Sequence, residues 1–226
     1  MSLLALQKEE RRARILAEAQ ALMASRGWDG VTMRDLARAS RVSVPTVYNL
    51  VGGKDALLGA LMEALFAQVS ETGIVAHGSL VTRARSLWRA GLVPLIEAPA
   101  YARELICLFA SAPGPNDIRR DYGDRYVALM AGIVRDGQRR GELTRAVAPV
   151  PLARTMYSLW VAQTIRWAHG EIDDEGLRVS VERGLSLLLL GLASGPARAE
   201  LDSALESLRD ADAEGPDFTQ PEVATS

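Results

Sequence analysis

Apolar positions recur along this chain at helical spacing, with no sustained two-residue alternation of the kind that marks a half-buried strand. Ile15, Leu16, Ala19, Leu22 and Met23 follow an i, i+1, i+4, i+7, i+8 pattern with charge on the opposite face, and Gly27 after Arg26 supplies a stop. Thr32 and Asp35 make a T-x-x-D capping arrangement at the head of a short helix over Met33 to Ala39. After a break near Ser40 and Arg41, Ser43 can cap a third short helix with Pro45 in its first turn, where a missing amide proton costs nothing. Gly52 and Gly53 end it. Lys54 opens a longer helix whose apolar stripe is Leu57, Leu58, Leu61, Leu65 and Val69.

Beyond Gly78 the pattern predicts helices over Leu80 to Glu97, Ala100 to Ala112, Asn116 to Gly141, Val150 to His169 and Asp173 to Ala193, punctuated by prolines and Gly170. Ala197 to Leu208 reads as a peripheral helix, and Glu214 to Ser226 has the composition of a disordered tail. The expected fold is all-α. A three-helix helix-turn-helix domain over residues 1–54, its motif at about 32–51, precedes a larger helical body over 55–195 and a peripheral segment over 196–226.

Composition narrows the picture further. With 48% hydrophobic and 24% charged residues in 226, the chain can bury a core, which excludes disorder over most of its length. Its single cysteine, Cys107, cannot close an intramolecular disulfide, so a reducing cytoplasm is the expected setting. The apolar residues Met1 to Leu6 precede rather than follow the charges of Lys8 to Arg12, the reverse of a signal peptide. The longest apolar run, Leu185 to Ala193, is about half of the roughly 20 residues a membrane span requires, so no membrane partner is expected. The first sixty residues carry nine Lys or Arg against six Asp or Glu, while the whole chain has a net charge of −2. A basic head on an acidic body suggests an anion-binding module attached to a part with another task.

Two short helices joined by about four residues cannot be stable alone, so they must pack on the first helix with Leu36, Ala37, Val42 and Val47 turned inward. The result is a helix-turn-helix whose second helix presents its first residues to a DNA major groove. Val44 and Pro45 offer apolar surface to thymine methyl groups, Thr46 can bond a phosphate or a base, and Tyr48 and Asn49 offer a hydroxyl and an amide. Thr32 and Arg34 at the head of the preceding helix, Ser43 at the turn and Lys54, where a cation meets free first-turn amides, complete the expected DNA-binding set. The other reading of the same residues is that Thr32 and Ser43 are ordinary caps and Tyr48 a half-buried packing residue.

Thr32, Val42-Ser43, Thr46-Val47-Tyr48 and Lys54-Asp55-Ala56-Leu57-Leu58 together make the segment from about Lys8 to Leu65 resemble the TetR family of one-component bacterial repressors. The resemblance implies phosphate contacts from Thr46, Tyr48 and Lys54, base contacts from the start of the recognition helix, and occlusion of a promoter by a dimer. The chain departs from the family pattern twice. Arg41 stands where the family usually has Gly, which calls for an uncomfortable φ or a different turn, and Leu50-Val51-Gly52-Gly53 replaces an aromatic pair followed by Pro-Ser.

In the body, Val150 to Ala193 forms two helices, the first presenting Ala153, Tyr157, Trp160, Val161, Thr164 and Trp167, the second Leu177, Val181, Leu185, Leu188 and Leu192. Leu187 to Leu190 are apolar all round, so one side is expected in the core and the other against a second copy, with Tyr157, Trp160, Val161, Thr164, Val181, Leu185, Leu188 and Leu192 at that interface. A purely internal helix would explain the same run. Trp88, Tyr101, Cys107, Phe109, Tyr122, Tyr126 and Met130 are candidate lining for a small-molecule pocket, though any helical core contains such residues, and Cys107 reads as inert core.

Signatures of common catalytic and cofactor sites are missing: there are only two histidines, no H-E-x-x-H, no G-x-S-x-G and no Gly-rich phosphate loop. No catalytic residue, metal or cofactor is expected, and the acids near His169 read as the capped start of a helix. The expected function is a homodimeric transcriptional repressor that binds double-stranded operator DNA and is released by a small-molecule effector. The alternatives are a ligand-independent DNA-binding or interaction protein and a small cofactor-free enzyme.

Overall fold

The structure, a computed structural model, describes residues 2–71, 75, 77–111 and 116–212, with the side chains of 66, 69–71, 111, 116–119 and 210–212 left aside. Ten α-helices account for nearly all of it: α1 Leu3–Arg26, α2 Met33–Ala39, α3 Val44–Val51, α4 Lys54–Glu71, α5 Leu80–Glu97, α6 Pro99–Ser111, α7 Asn116–Arg140, α8 Pro149–Ala168, α9 Asp174–Leu190 and α10 Gly195–Asp212. The expected all-α class is the observed one. Glu214 to Ser226, the expected tail, lies outside the described residues.

Local hydrogen bonds set the boundaries of the head. Thr32 Oγ1 accepts the Asp35 N–H at 3.1 Å and donates to the Asp35 carboxylate at 2.7 Å, starting α2. Ser43 Oγ accepts the Thr46 N–H at 3.3 Å, starting α3. α1 stops where the Gly27 N–H reaches the Met23 carbonyl at 2.9 Å with φ of 69°, a value open to glycine. Ile15, Leu16, Ala19 and Met23 of α1 bury themselves with Leu36 and Ala37 of α2 and Val47 and Val51 of α3, so three helices share one small core. Arg14 of α1 pins the turn by donating from Nε to the Ser40 carbonyl oxygen at 3.1 Å.

The turn between α2 and α3 resolves the question posed by Arg41. The Arg41 N–H bonds the Arg38 carbonyl at 3.2 Å and the Val42 N–H bonds the Ala37 carbonyl at 3.0 Å, the pair of reversed bonds that ends a helix in a left-handed residue. Arg41 holds that conformation with φ of 55°, as the only non-glycine with positive φ among the described residues. The uncomfortable backbone was kept rather than the turn changed.

α4 leads into the body, burying Leu57, Leu61, Met62 and Leu65, while Leu58 is half-buried. α8 packs against α6, α7 and α9, and α5 against α4, α6 and α7. α5 runs on through Pro94. The last helix of the pair expected over Asp173 to Ala193 stops at Leu190, because Gly191 to Ser194 turn away to form a two-stranded clip: the Thr144 N–H donates to the Leu192 carbonyl and the Ser194 N–H to that of Glu142. No described helix is long and apolar enough to cross a membrane.

Candidate nucleic-acid interface and effector cavity

On the head, Pro45, Tyr48 and Asn49 of α3 and Arg34 of α2 are exposed together with Thr32 and Ser43. Tyr48 is 51% exposed, which argues against the packing reading of this residue. Thr32 and Ser43 both do the work of caps, and the Ser43 hydroxyl also exchanges a hydrogen bond with Thr46 Oγ1 at 2.8 Å. Val44 and Thr46 are half-buried, on the flank of the helix rather than its crest. Lys54 stands at the first turn of α4 with its ammonium 4.9 Å from the centroid of the Trp28 ring, so an aromatic face steers the cation from the α1–α2 connection.

The body contains a cavity of about 490 Å³, within the size range of drug-sized ligand sites. Met62 and Leu65 of α4 and Gly91 and Leu95 of α5 form part of its wall. Ile106, Phe109 and Ala110 of α6 and Arg120 and Tyr122 of α7 form another. α8 supplies the rest: Tyr157, Trp160, Val161, Thr164 and Ile165.

Two helical glycines shape the α8 side. A Cβ on Gly91 would stand 2.7 Å from the Trp160 ring, and one on Gly123 would stand 2.9 Å from that of Tyr157. Glycine inside a helix costs about 1 kcal/mol relative to alanine, and here the missing side chains leave notches for the two rings. Tyr126 backs both, its ring centroid 5.4 Å from Tyr157 and 5.7 Å from Trp160. Phe109 and Tyr122 meet edge to face at 6.4 Å. Burial, and then the neighbouring Tyr157 phenol, push the Tyr122 hydroxyl well above the ordinary tyrosine range, so it stays a neutral donor.

The structure redistributes the residues expected at the pocket and at the interface. Of the pocket candidates, Phe109 and Tyr122 line the cavity. Tyr126 and Met130 lie buried outside its lining, Cys107 is half-buried elsewhere on α6, and Trp88 borders a separate hollow of about 240 Å³ between α5 and α9. Tyr101 is core: its hydroxyl donates to the Leu61 carbonyl at 3.4 Å and burial pushes its pKa up to about 12. Of the interface candidates, Tyr157, Trp160, Val161 and Thr164 face the cavity instead, and Val181 and Leu185 are fully buried core. Leu188 and Leu192 are half-buried.

The four α8 residues share one face of that helix, and that face lines the cavity. The outward face of α8 and α9 carries Thr155, Ser158, Leu159, Gly184, Leu187 and Leu188, an open apolar groove in which Leu187 is 54% exposed. Sequence reading also missed Gly91 and Arg120, whose roles depend on neighbours brought from other helices. Near His169, Asp173 caps α9 through the Gly176 N–H at 2.7 Å, and Asp174 accepts from Trp167 Nε1 at 2.7 Å and from Arg103 at 3.2 Å.

Residues 15–61 match the family described as bacterial regulatory proteins, tetR family. A TetR-family transcriptional regulator from Pectobacterium atrosepticum is 25% identical, with a TM-score of 0.66 over 84% of this chain and 98% of that one. A Rhodococcus sp. protein described as a TetR-family regulator is 24% identical, with a TM-score of 0.62 over 80% and 99% of the two chains. SmeT, the repressor of the Stenotrophomonas maltophilia multidrug efflux pump SmeDEF, shares the fold at 16% identity, with a TM-score of 0.66 over 82% and 92%. The search of curated proteins returned no match. Residues 15–61 thus form a head that matches the tetR family of bacterial regulatory proteins, and the chain as a whole is similar in fold to solved TetR-family transcriptional regulators.

Proposed function

We propose that this regulator is a homodimeric repressor that leaves its operator when a small molecule fills the cavity. The observation that carries this reading is the position of α6. Ile106, Phe109 and Ala110 on this helix line the cavity, and Glu104, within the same two turns, accepts the Trp28 N–H of the head at 2.6 Å. A molecule in the cavity therefore pushes on an element hydrogen-bonded to the head. α4 offers a second route, since Met62 and Leu65 line the cavity and Lys54 begins the same helix beside Trp28.

The DNA-binding surface is assigned to Arg34, Pro45, Tyr48, Asn49 and Lys54, flanked by Val44 and Thr46, with Thr32 and Ser43 holding the helices in place. Two such heads on a two-fold axis read a pseudo-palindrome, with phosphates supplying affinity and a few base edges specificity. The outward groove of α8 and α9 supports pairing of the two copies, because an exposed apolar strip beside Ser158 and Gly184 allows close approach of a mate. An effector displaces the operator only if it binds the DNA-incompatible arrangement better, and the coupling is reciprocal.

The test begins with an operator selected from a random duplex pool by the purified protein. Effector and operator affinities are then each measured with and without the other. Mutual weakening by one common factor supports the reading, and a tightly bound effector that leaves operator affinity unchanged defeats it.

A further inference from the structure

Aromatic side chains gather at the cavity, and their seating narrows what it accepts, resting on the reading above that the cavity takes an effector. Such residues make up 5% of the chain, yet Phe109, Tyr122, Tyr157 and Trp160 are four of the fourteen described residues on its wall. Aliphatic side chains alone would suffice to make an apolar hole. Rings in this concentration bear on the shape of the occupant.

Bare backbone on other helices fixes two of these rings. Trp160 has the outer edge of its indole against Gly91 of α5, where an added Cβ would stand 2.7 Å from Cη2 and 2.8 Å from Cζ2. Tyr157, one turn earlier on α8, lies against Gly123 of α7, where an added Cβ would stand 2.9 Å from Cε1. Tyr126 packs on both, its ring tilted 31° from that of Trp160 and 41° from that of Tyr157. Each ring is thus held between a helix backbone and Tyr126, and its remaining surface is given to the cavity. A flat ring system meets such surfaces by offset stacking or edge to face, a gain beyond the area it buries. Because the rings are ordered beforehand, binding costs them no freedom, whereas a flexible alkyl chain must be ordered and gains burial alone.

Gly91 holds the central place, since it lines the cavity and touches the Trp160 ring at once. A methyl group there would meet atoms of a rigid ring rather than the end of a flexible side chain. Trp160 would have to move by several tenths of an ångström, or α5 and α8 to part, and either change reshapes the wall.

We propose that the cavity selects planar aromatic molecules over saturated ones of the same outline, with Gly91 as the specificity-determining residue that seats Trp160 in the wall.

Calorimetric titration of the full chain with three neutral alcohols tests this: naphthylmethanol, its hydrogenated counterpart decahydronaphthylmethanol, and decanol. A cavity that rewards buried apolar surface alone takes the saturated probes at least as tightly as the aromatic one. Naphthylmethanol is instead expected to bind about tenfold or more tightly than either. Gly91→Ala is expected to keep its helix content, alanine being the better helix former, and to lose that preference. Its naphthylmethanol affinity is expected to fall about tenfold while that of decanol, which can bend around a shifted ring, stays within about twofold. Trp160→Leu removes the ring without touching Gly91 and is expected to abolish the same preference.

Equal or tighter binding of a saturated probe by the wild type, no binding of naphthylmethanol, or a preference that survives either substitution overturns the assignment. The operator assay separates this from the wider reading. If decahydronaphthylmethanol or decanol binds best and releases operator, the aromatic assignment fails and effector control stands. If naphthylmethanol binds in the expected order with no effect on operator, the assignment stands and effector control fails.

Discussion

Glu104 and Trp28 are 76 residues apart in sequence, yet the Glu104 carboxylate accepts the Trp28 backbone N–H at 2.6 Å and so ties α6 of the body to the connection between α1 and α2 of the head. The contact depends on Gly27, where an added Cβ would stand 3.3 Å from Glu104 Oε1. The next residue back, Arg103, lies over the Trp167 ring at 4.4 Å and bonds Asp174, so adjacent residues of α6 fasten it in opposite directions. Leucine at position 104 would strand the Trp28 N–H, at a cost of about 1–3 kcal/mol. Glu104→Leu is expected to lower the unfolding free energy from urea melts by that amount and to shrink the effector's influence on operator affinity. Glu104→Gln keeps an acceptor and is expected to retain most of both.

Arg41 holds a left-handed backbone that costs an L-residue with a side chain about 1–2 kcal/mol. Arg41→Gly is expected to recover about 1 kcal/mol and raise Tm by roughly 2–4 °C for a chain of this size. A thermal melt that stays level or falls would show that the arginine side chain returns more than its backbone costs.

Lys54 is placed by the Trp28 ring at the first turn of α4. Lys54→Ala is expected to weaken binding to all duplexes by a similar factor and to flatten the dependence of log affinity on log salt by about one unit. Fluorescence anisotropy over a salt series on specific and random duplexes measures both.

Leu187 projects from the outer face of α9. Leu187→Glu leaves the interior of one copy untouched but sets a charge in the apolar groove proposed to join two copies. Light scattering is expected to give a dimeric wild type and a monomeric variant with unchanged helix content.

Acid behaviour follows from Asp136, whose carboxyl is held below its ordinary value of 3.8 by hydrogen bonds from Arg139 and Arg83. A group depressed in the folded state stabilises above its unfolded pKa and loses that contribution as pH falls through the lower folded value. The wild type is therefore expected to exceed Asp136→Asn in stability at neutral pH, the gap closing below about pH 4, as thermal melts across that range would register.

Sequence alone determined the helices and the head. Caps and stops are interactions between residues three or four apart, such as Thr32 with Asp35, Ser43 with Thr46 and Gly27 with Met23, so they are written in the local order of residue types. The same locality made the helix-turn-helix legible, and Arg41 narrowed its turn to a strained φ or a different turn, of which the structure has the first. The tertiary structure alone decided which side of α8 faces inward. Both flanks of that helix carry apolar residues, Tyr157 and Trp160 on one and Leu159 on the other, so periodicity divides the faces without orienting them. The choice falls to the shapes of distant partners: Gly91 and Gly123 open notches that receive the two rings and thereby place the cavity. The link from Glu104 to Trp28 is likewise invisible in one dimension, because a single carboxylate finds its backbone donor only after two separate helical units have packed.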